Sequence, residues 1–256
     1  MAVLETKNLS KIYGGRSASL KVKALNDINI EINKGEFVGV MGPSGSGKST
    51  LLNILATIDS PTSGNVYIDG KDPHKMDLDD LAIFRRRNLG FIFQDFNLLD
   101  TLTVRENISL PLVLEGEKDK LIDGKIEAIA RVLNIADILD KRTYEISGGQ
   151  QQRTAAARAI VARPEIVMAD EPTGNLDSKA SFDLMTSMEK LNIEEGATIV
   201  MVTHDAFAAS FCHRIIMIKD GEEFLEIRRG DNSRQVFFNE ILDALSLLGG
   251  GYNESL

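Results

Sequence analysis

Apolar positions along this chain change their spacing several times, and each change marks a new kind of element. Near the start, INIEI (Ile28 to Ile32) alternates apolar and polar residues, the period of a half-buried strand. A turn at Asn33-Lys34-Gly35 leads into EFVGVM, a short apolar run predicted as a strand covered on both faces. Leu51, Leu52, Leu55 and Ile58 then recur at helical spacing and predict one apolar face. PTSG interrupts that pattern, and NVYIDG reads as a further strand ending in an Asp-Gly turn. The opening third therefore predicts an antiparallel β layer beside the start of a second, buried sheet.

From Phe96 to about Pro164 the period is helical. VRENISLPLVLEG, KIEAIARVLNIADIL and GQQQRTAAARAIVAR are predicted as helices, with Pro111 and Pro164 as breaks. Beyond them, the apolar strands EIVMAD, ATIVMVTH and RIIMIKDG alternate with the helical stretch SKASFDLMTSMEKL. Short apolar strands interleaved with helices imply a parallel sheet covered on both faces. The predicted fold is α/β: a mainly parallel sheet covered by helices, an N-terminal antiparallel β layer and an inserted α-helical subdomain. Residues 1–228 form the main unit, with the insertion at about 96–164, and 229–256 a helical tail with a helix over Arg234 to Leu248 and a Gly-rich end. No internal repeat or low-complexity segment interrupts the pattern.

Composition narrows the functional classes. The chain has 256 residues, 43% of them apolar and 26% charged, which suits one large globular domain. A net charge of −9 argues against a broad basic surface for nucleic acid, so no nucleic-acid partner is expected. The single cysteine, Cys212, excludes an internal disulfide framework and sits among apolar neighbours, as a buried structural thiol does. MAVLETKNLSKIYGG has no apolar h-region and no run reaches the ~18–20 apolar residues of a membrane span. A cytoplasmic location is expected, with any membrane role exercised through a partner. Met185 and Met188 read as core, Arg85-Arg86-Arg87 as a solvated helix face, and His74 and His213 have no metal-ligand companions.

Two glycine-rich loops carry the candidate chemistry. GPSGSGKST (Gly42 to Thr50) fits G-x-x-x-x-G-K-[ST] between a strand and a helix, the signature of a P-loop NTPase core. Gly42, Pro43, Ser44, Gly45, Ser46 and Gly47 would wrap phosphate with converging N–H groups, and the helix end adds positive potential. Lys48 is expected to reach the β- and γ-phosphates, Ser49 to ligate Mg²⁺ and Thr50 to donate to the α-phosphate. In IVMADE, Asp170 ends a strand and is placed to hold the Mg²⁺ shell, while Glu171 is the candidate general base for an attacking water. The cofactors implied are ATP and Mg²⁺. ISGGQQQR (Ile146 to Arg153) is the second loop, again at the start of a predicted helix.

Taken in order, these residues resemble the nucleotide-binding domain of ATP-binding-cassette transporters over roughly residues 2–228. GPSGSGKST looks like Walker A, FIFQD like the Q-loop, ISGGQQQR like the signature, MADEP like Walker B, GNLD like the D-loop and VTHD like the H-loop. The resemblance implies an ATPase working as a homodimer, with Ser147, Gly148, Gly149 and Gln150 of one subunit meeting the γ-phosphate held by the other's P-loop. It also implies that Gln94 reaches Mg²⁺ or the attacking water, that His204 orients Glu171 and contacts the γ-phosphate, and that Asp177 lies at the dimer seam. Tyr13 stands 29 residues before Gly42 (42 − 13), where the family places an adenine-stacking aromatic; an edge-strand tyrosine is the plainer reading. Ile146 replaces the commoner leucine and keeps the apolar anchor.

TGNLDS, FNLLDTLTVRENISLPL and the tail RQVFFNEI look like the branch serving macrolide and lipoprotein exporters, and most like bacitracin-type peptide-resistance transporters. That likeness implies a many-spanning permease as partner, a link to a sensor histidine kinase through it, and a peripheral position on the inner face of the membrane. A soluble cassette ATPase acting on ribosomes or DNA is the rival; those usually carry two cassettes or a long coiled-coil insertion, unlike this single acidic one.

Overall fold

The computed structural model describes residues 2–14 and 21–249, so the Gly-rich end at 250–256 lies outside the described residues. Strand β1 (Ala2–Tyr13) is the spine of an antiparallel sheet. On one edge it pairs with β2 (Val22–Ile28) and then β3 (Glu31–Asn33), on the other with β5 (Ser63–Ile68). The alternating stretch Ile28 to Ile32 is thus two strands. The Thr6 hydroxyl explains the gap, donating to the Ile28 carbonyl at 3.0 Å and accepting from the Ile30 amide at 2.8 Å. A side chain here stands in for a missing ladder bond.

The second sheet has the order β10-β9-β4-β8-β7-β6, formed by β4 (Phe37–Met41), β6 (Leu89–Ile92), β7 (Ile166–Asp170), β8 (Ile199–Val202), β9 (Arg214–Lys219) and β10 (Glu222–Arg228). All neighbours are parallel except the β9–β10 hairpin. Its strands separate two cores. Val38, Val40, Met168, Val200, Val202 and Ile216 face the antiparallel layer and helix α1 (Lys48–Leu55), together with α2 (Leu78–Asn88) through Phe84. Phe37, Met41, Val167, Ala169, Met201 and Met217 face the remaining helices. Burial on both faces is why these strands read as unbroken apolar runs.

The helical side comprises α3 (Val104–Leu114), α4 (Asp119–Val132), α5 (Gly148–Ile160), α6 (Ser178–Glu195), the short α7 (Ala206–Ala209) and α8 (Arg234–Gly249). Met185 and Met188 of α6 are fully buried in this core, as is Cys212, whose thiol is pushed far up by that burial. Helix α8 inserts Phe237, Ile241, Ala244 and Leu248 into the same core.

Three local expectations need correction. Pro111 lies inside α3 and does not break it. A Thr103–Glu106 capping box secures the start and Val104, Ile108 and Leu112 are buried, so the helix tolerates the one N–H that proline lacks. Ile58 is 56% exposed, because α1 ends at Leu55. The residues ADI form a separate 3₁₀ turn (Ala136–Ile138) after α4. The arginine run keeps its expected solvated face, with Arg85 and Arg87 exposed, and is also tethered: Arg85 Nε donates to the Thr57 hydroxyl at 2.6 Å, and Arg86 and Arg87 both pair with Glu115 at the end of α3, at 2.8 and 2.6 Å.

Candidate active site

Residues Gly42 to Gly47 form a loop that only small residues can follow. Gly42 has φ +153 and a Cβ there would lie 2.1 Å from the Ile218 carbonyl oxygen; at Gly47, φ +103, it would lie 2.3 Å from that of Ala24. The loop is thus pressed against the ends of β9 and β2, and its N–H groups are left to converge. No side chain caps α1. Lys48, 8% exposed, folds back so that Nζ donates to the carbonyls of Gly42 at 3.0 Å and Pro43 at 2.8 Å. Burial pulls its amine below the ordinary lysine range, while the charges of Glu171 and Asp170 pull the other way. Gly45, Gly47, Lys48, Ser49 and Thr50 line a cavity of about 350 Å³ together with Val22, Ala24 and Gly221.

On the other side of Lys48, β7 delivers Asp170 and Glu171. Burial and the neighbouring Glu171 charge raise the Asp170 carboxyl, against the opposing pull of Lys48, and its buried Oδ1 has no hydrogen-bond partner. Glu171 has φ +43, a left-handed conformation seldom taken by a non-glycine residue and often found at functional sites. Its Oε2 lies 2.5 Å from Nδ1 of His204, which follows β8. Glu171, Thr173, Gly174, Thr203 and His204 line a cavity of about 560 Å³. Gln94 abuts the same turn: a Cβ on Gly174 would sit 3.0 Å from its Nε2. Asn175 Nδ2 donates to the Gln94 carbonyl at 3.2 Å and to Asp95 at 3.0 Å. Gln94 stands two residues beyond the end of β6, in a loop and not on the strand.

Tyr13 ends β1, 41% exposed, with its hydroxyl donating to Asp59 at 2.6 Å. Lys11 bonds the other Asp59 oxygen at 2.6 Å and its ammonium sits 4.8 Å from the Tyr13 ring centre. Burial first and then the bond to Asp59 raise the phenol. The ring is therefore held by side chains from both β1 and the turn after α1.

The signature residues lie at the N-terminus of α5 and line neither cavity. Ser147 caps its own helix, Oγ accepting from the Gln150 amide at 3.4 Å while Gln150 Oε1 accepts from the Ser147 amide at 3.0 Å. A Cβ on Gly149 would come 2.8 Å from that of Ala180, so glycine allows α5 to approach the start of α6. Asp177 caps α6, accepting from the Ala180 amide at 2.8 Å. Two residues of α5 escape notice in the sequence. Gln152 is fully buried and Arg158 donates to the carbonyls of Asn97 at 2.7 Å and Phe96 at 3.2 Å. Gln152 could have been found, since it precedes the buried Ala155 and Ala156 by three and four positions.

Known proteins resemble this chain over most of its length. The ABC transporter family matches residues 25–174. The chain is 57% identical to the uncharacterized ABC transporter ATP-binding protein YvcR of Bacillus subtilis, over 99% of this chain and 98% of that one. It is 50% identical to the bacitracin export ATP-binding protein BceA of Halalkalibacterium halodurans, over 99% and 100%. Among solved structures, the dimeric post-hydrolysis state of the cassette MJ0796 of Methanocaldococcus jannaschii, bound to ADP and Pi, superposes with a TM-score of 0.78 at 42% identity, covering 88% of this chain and 98% of that one. Matched by the family over residues 25–174 and along nearly its whole length by these ATP-binding subunits, this chain belongs to the ABC transporter ATPases.

Proposed function

We propose that the chain is the ATP-hydrolysing subunit of a transporter whose permease is a separate membrane protein, serving resistance to or sensing of bacitracin-like antimicrobial peptides. The observation that carries the ATPase reading is the convergence on Lys48: a buried amine resting on loop carbonyls, with Asp170 and Glu171 close enough to perturb it and His204 on Glu171. The amine is held where incoming phosphate oxygens would displace those carbonyls. Glu171 accepts the proton of the attacking water, His204 orients it, and Gln94 abuts the Gly174 turn that follows Glu171.

Two copies share each nucleotide in this reading. Ser147 and Gly148 are exposed and line neither of their own chain's two cavities, which supports a role toward a second protomer. Gly148 and Gly149 would add N–H groups and Ser147 its hydroxyl to a γ-phosphate held by the partner's P-loop, with Tyr13 under the base. Mg²⁺ fits the donors present: Asp170 offers a buried oxygen without a partner, and Ser49 and Gln94 supply neutral oxygens. When bound, the ion neutralises charge on the β- and γ-phosphate oxygens.

The peptide-resistance branch is supported by identity along the whole length of a bacitracin export subunit. Among the described residues no helix is long and apolar enough to cross a membrane, in keeping with a separate permease, through which a sensor kinase would be reached from a peripheral cytoplasmic position. Substituting Glu171→Gln tests the catalytic core. Phosphate release is expected to fall by at least ~10²-fold, with ATP binding kept and an ATP-dependent dimer accumulating on size-exclusion chromatography. Normal turnover in that variant would remove Glu171 from the chemistry.

A further inference from the structure

Gln152, fully buried in the second turn of α5, touches two loops at once. Its Nε2 donates to the Phe93 carbonyl at 3.1 Å and to the Pro172 carbonyl at 2.8 Å. Phe93 directly precedes Gln94, and Pro172 directly follows Glu171. The two amide hydrogens therefore tie together the main chain on either side of the site of attack. Its own Oε1 is buried without a partner. A glutamine retained only to fill core space would be expected to satisfy both ends of its amide. This one leaves its acceptor unpaired and spends both donors on loop carbonyls, so its geometry is set by the loops.

Further along the same helix, Arg158 holds the carbonyls of Phe96 and Asn97, two residues with left-handed backbone (φ +61 and +48). Gln152 and Arg158 thus fasten the Gln94 loop to α5 at two points. The N-terminus of that helix is the signature loop. A helix moves as a rod over so short a span, so a shift at Ser147 displaces Gln152 with it.

We propose that Gln152 is a positioning residue that couples the seat of the signature helix to the placement of Gln94 and Glu171 in the same protomer. A protomer whose signature grips the partner's nucleotide thereby sets its own water-attacking groups, and the two sites of a dimer inform one another through α5. The inference rests on the proposed roles of Glu171 and of the shared nucleotide.

The test is Gln152→Leu and Gln152→Glu in the full chain, with Glu171→Gln measured alongside. Loss of two net hydrogen bonds at the loops is expected to lower kcat roughly 5- to 30-fold. The ATP concentration at half-maximal rate should stay within about twofold, because the phosphate cradle is untouched. ATP-dependent dimerisation should persist when each change is combined with Glu171→Gln. The buried acid of Gln152→Glu regains one donor when protonated, so its kcat relative to the unsubstituted chain should climb as pH is lowered, and this profile decides the matter should the leucine variant not fold. Unchanged kcat in folded variants, a flat relative pH profile, or a rise in half-saturating ATP with kcat intact would each overturn the coupling role. Full turnover by Glu171→Gln would instead remove the base role on which this inference rests, whereas an inactive Glu171→Gln beside fully active Gln152 variants would refute this inference alone.

Discussion

Two helix starts in this molecule are shaped for an anion, and they are finished in opposite ways. At α1 the first residues follow a left-handed glycine, no side chain caps the helix, and the lysine amine lies against the loop's own carbonyls. At α5 a serine and a glutamine satisfy each other's amides across the first turn. The first end is committed to a ligand, since the opening N–H groups of a helix have no partner within it. The second is capped in part by its own side chains, leaving the Gly148 and Gly149 N–H groups and a hydroxyl hydrogen to offer. Firm holding and reversible contact are different tasks, and the sequence spends glycines on the first and a capping box on the second.

Substitutions at the two ends should separate those tasks. Lys48→Met is expected to lower hydrolysis by ~10²-fold or more, the scale of losing one charge-stabilising donor, with weakened ATP retention in equilibrium binding. Ser147→Arg should abolish hydrolysis yet leave ATP binding by the monomer near normal. Mixing those two inactive proteins is the sharper experiment. If each site is built from both protomers, the mixed dimer has one intact site, and activity should recover toward about a quarter of the unsubstituted rate at equal amounts. No recovery under conditions where the dimers exchange would mean that each chain holds its nucleotide alone.

Smaller effects bear on packing. Gly149→Ala should cost about 1–3 kcal/mol by forcing α5 away from Ala180, seen as a lower Tm, before any phosphate contact is considered. The smallest expected effect distinguishes the halves by acid. His74 and His213, both in the nucleotide-binding half, are held below the ordinary histidine range mainly by burial. Above about pH 6.5 neither form of the chain binds these protons. As pH falls through that value the unfolded chain takes them up first, so stability drops toward acid. Melting curves at pH 7.5 and 5.5 should show this, and His74→Gln with His213→Gln should flatten the slope; an unaltered slope would remove the histidines as its cause.

Much of this was legible in the residues because the family's motifs are local. GPSGSGKST and IVMADE each carry their pattern in a few consecutive residues, although the loops they form pack against Ile218, Ala24 and His204. The doubly buried strands declared themselves by unbroken apolar runs. What escaped depended on partners distant in sequence. The break at Asn29-Ile30 is made by Thr6, on another strand. The arginine run is the solvated face it reads as, but its partners Thr57 and Glu115 lie 28 residues away. Pro111 looked like a stop because its cost is local, whereas the burial that outweighs it is tertiary. Gln152 had no motif of its own, and its meaning lies in two carbonyls 59 and 20 residues away.

The sole sulfhydryl, Cys212, is sealed in the interior and kept protonated there. The native polypeptide is thus nearly silent toward thiol reagents while folded. A spin label or fluorophore attached through one introduced surface cysteine would report from that position alone, so opening and closing between the two glycine-led helices can be followed without first rebuilding the protein's core.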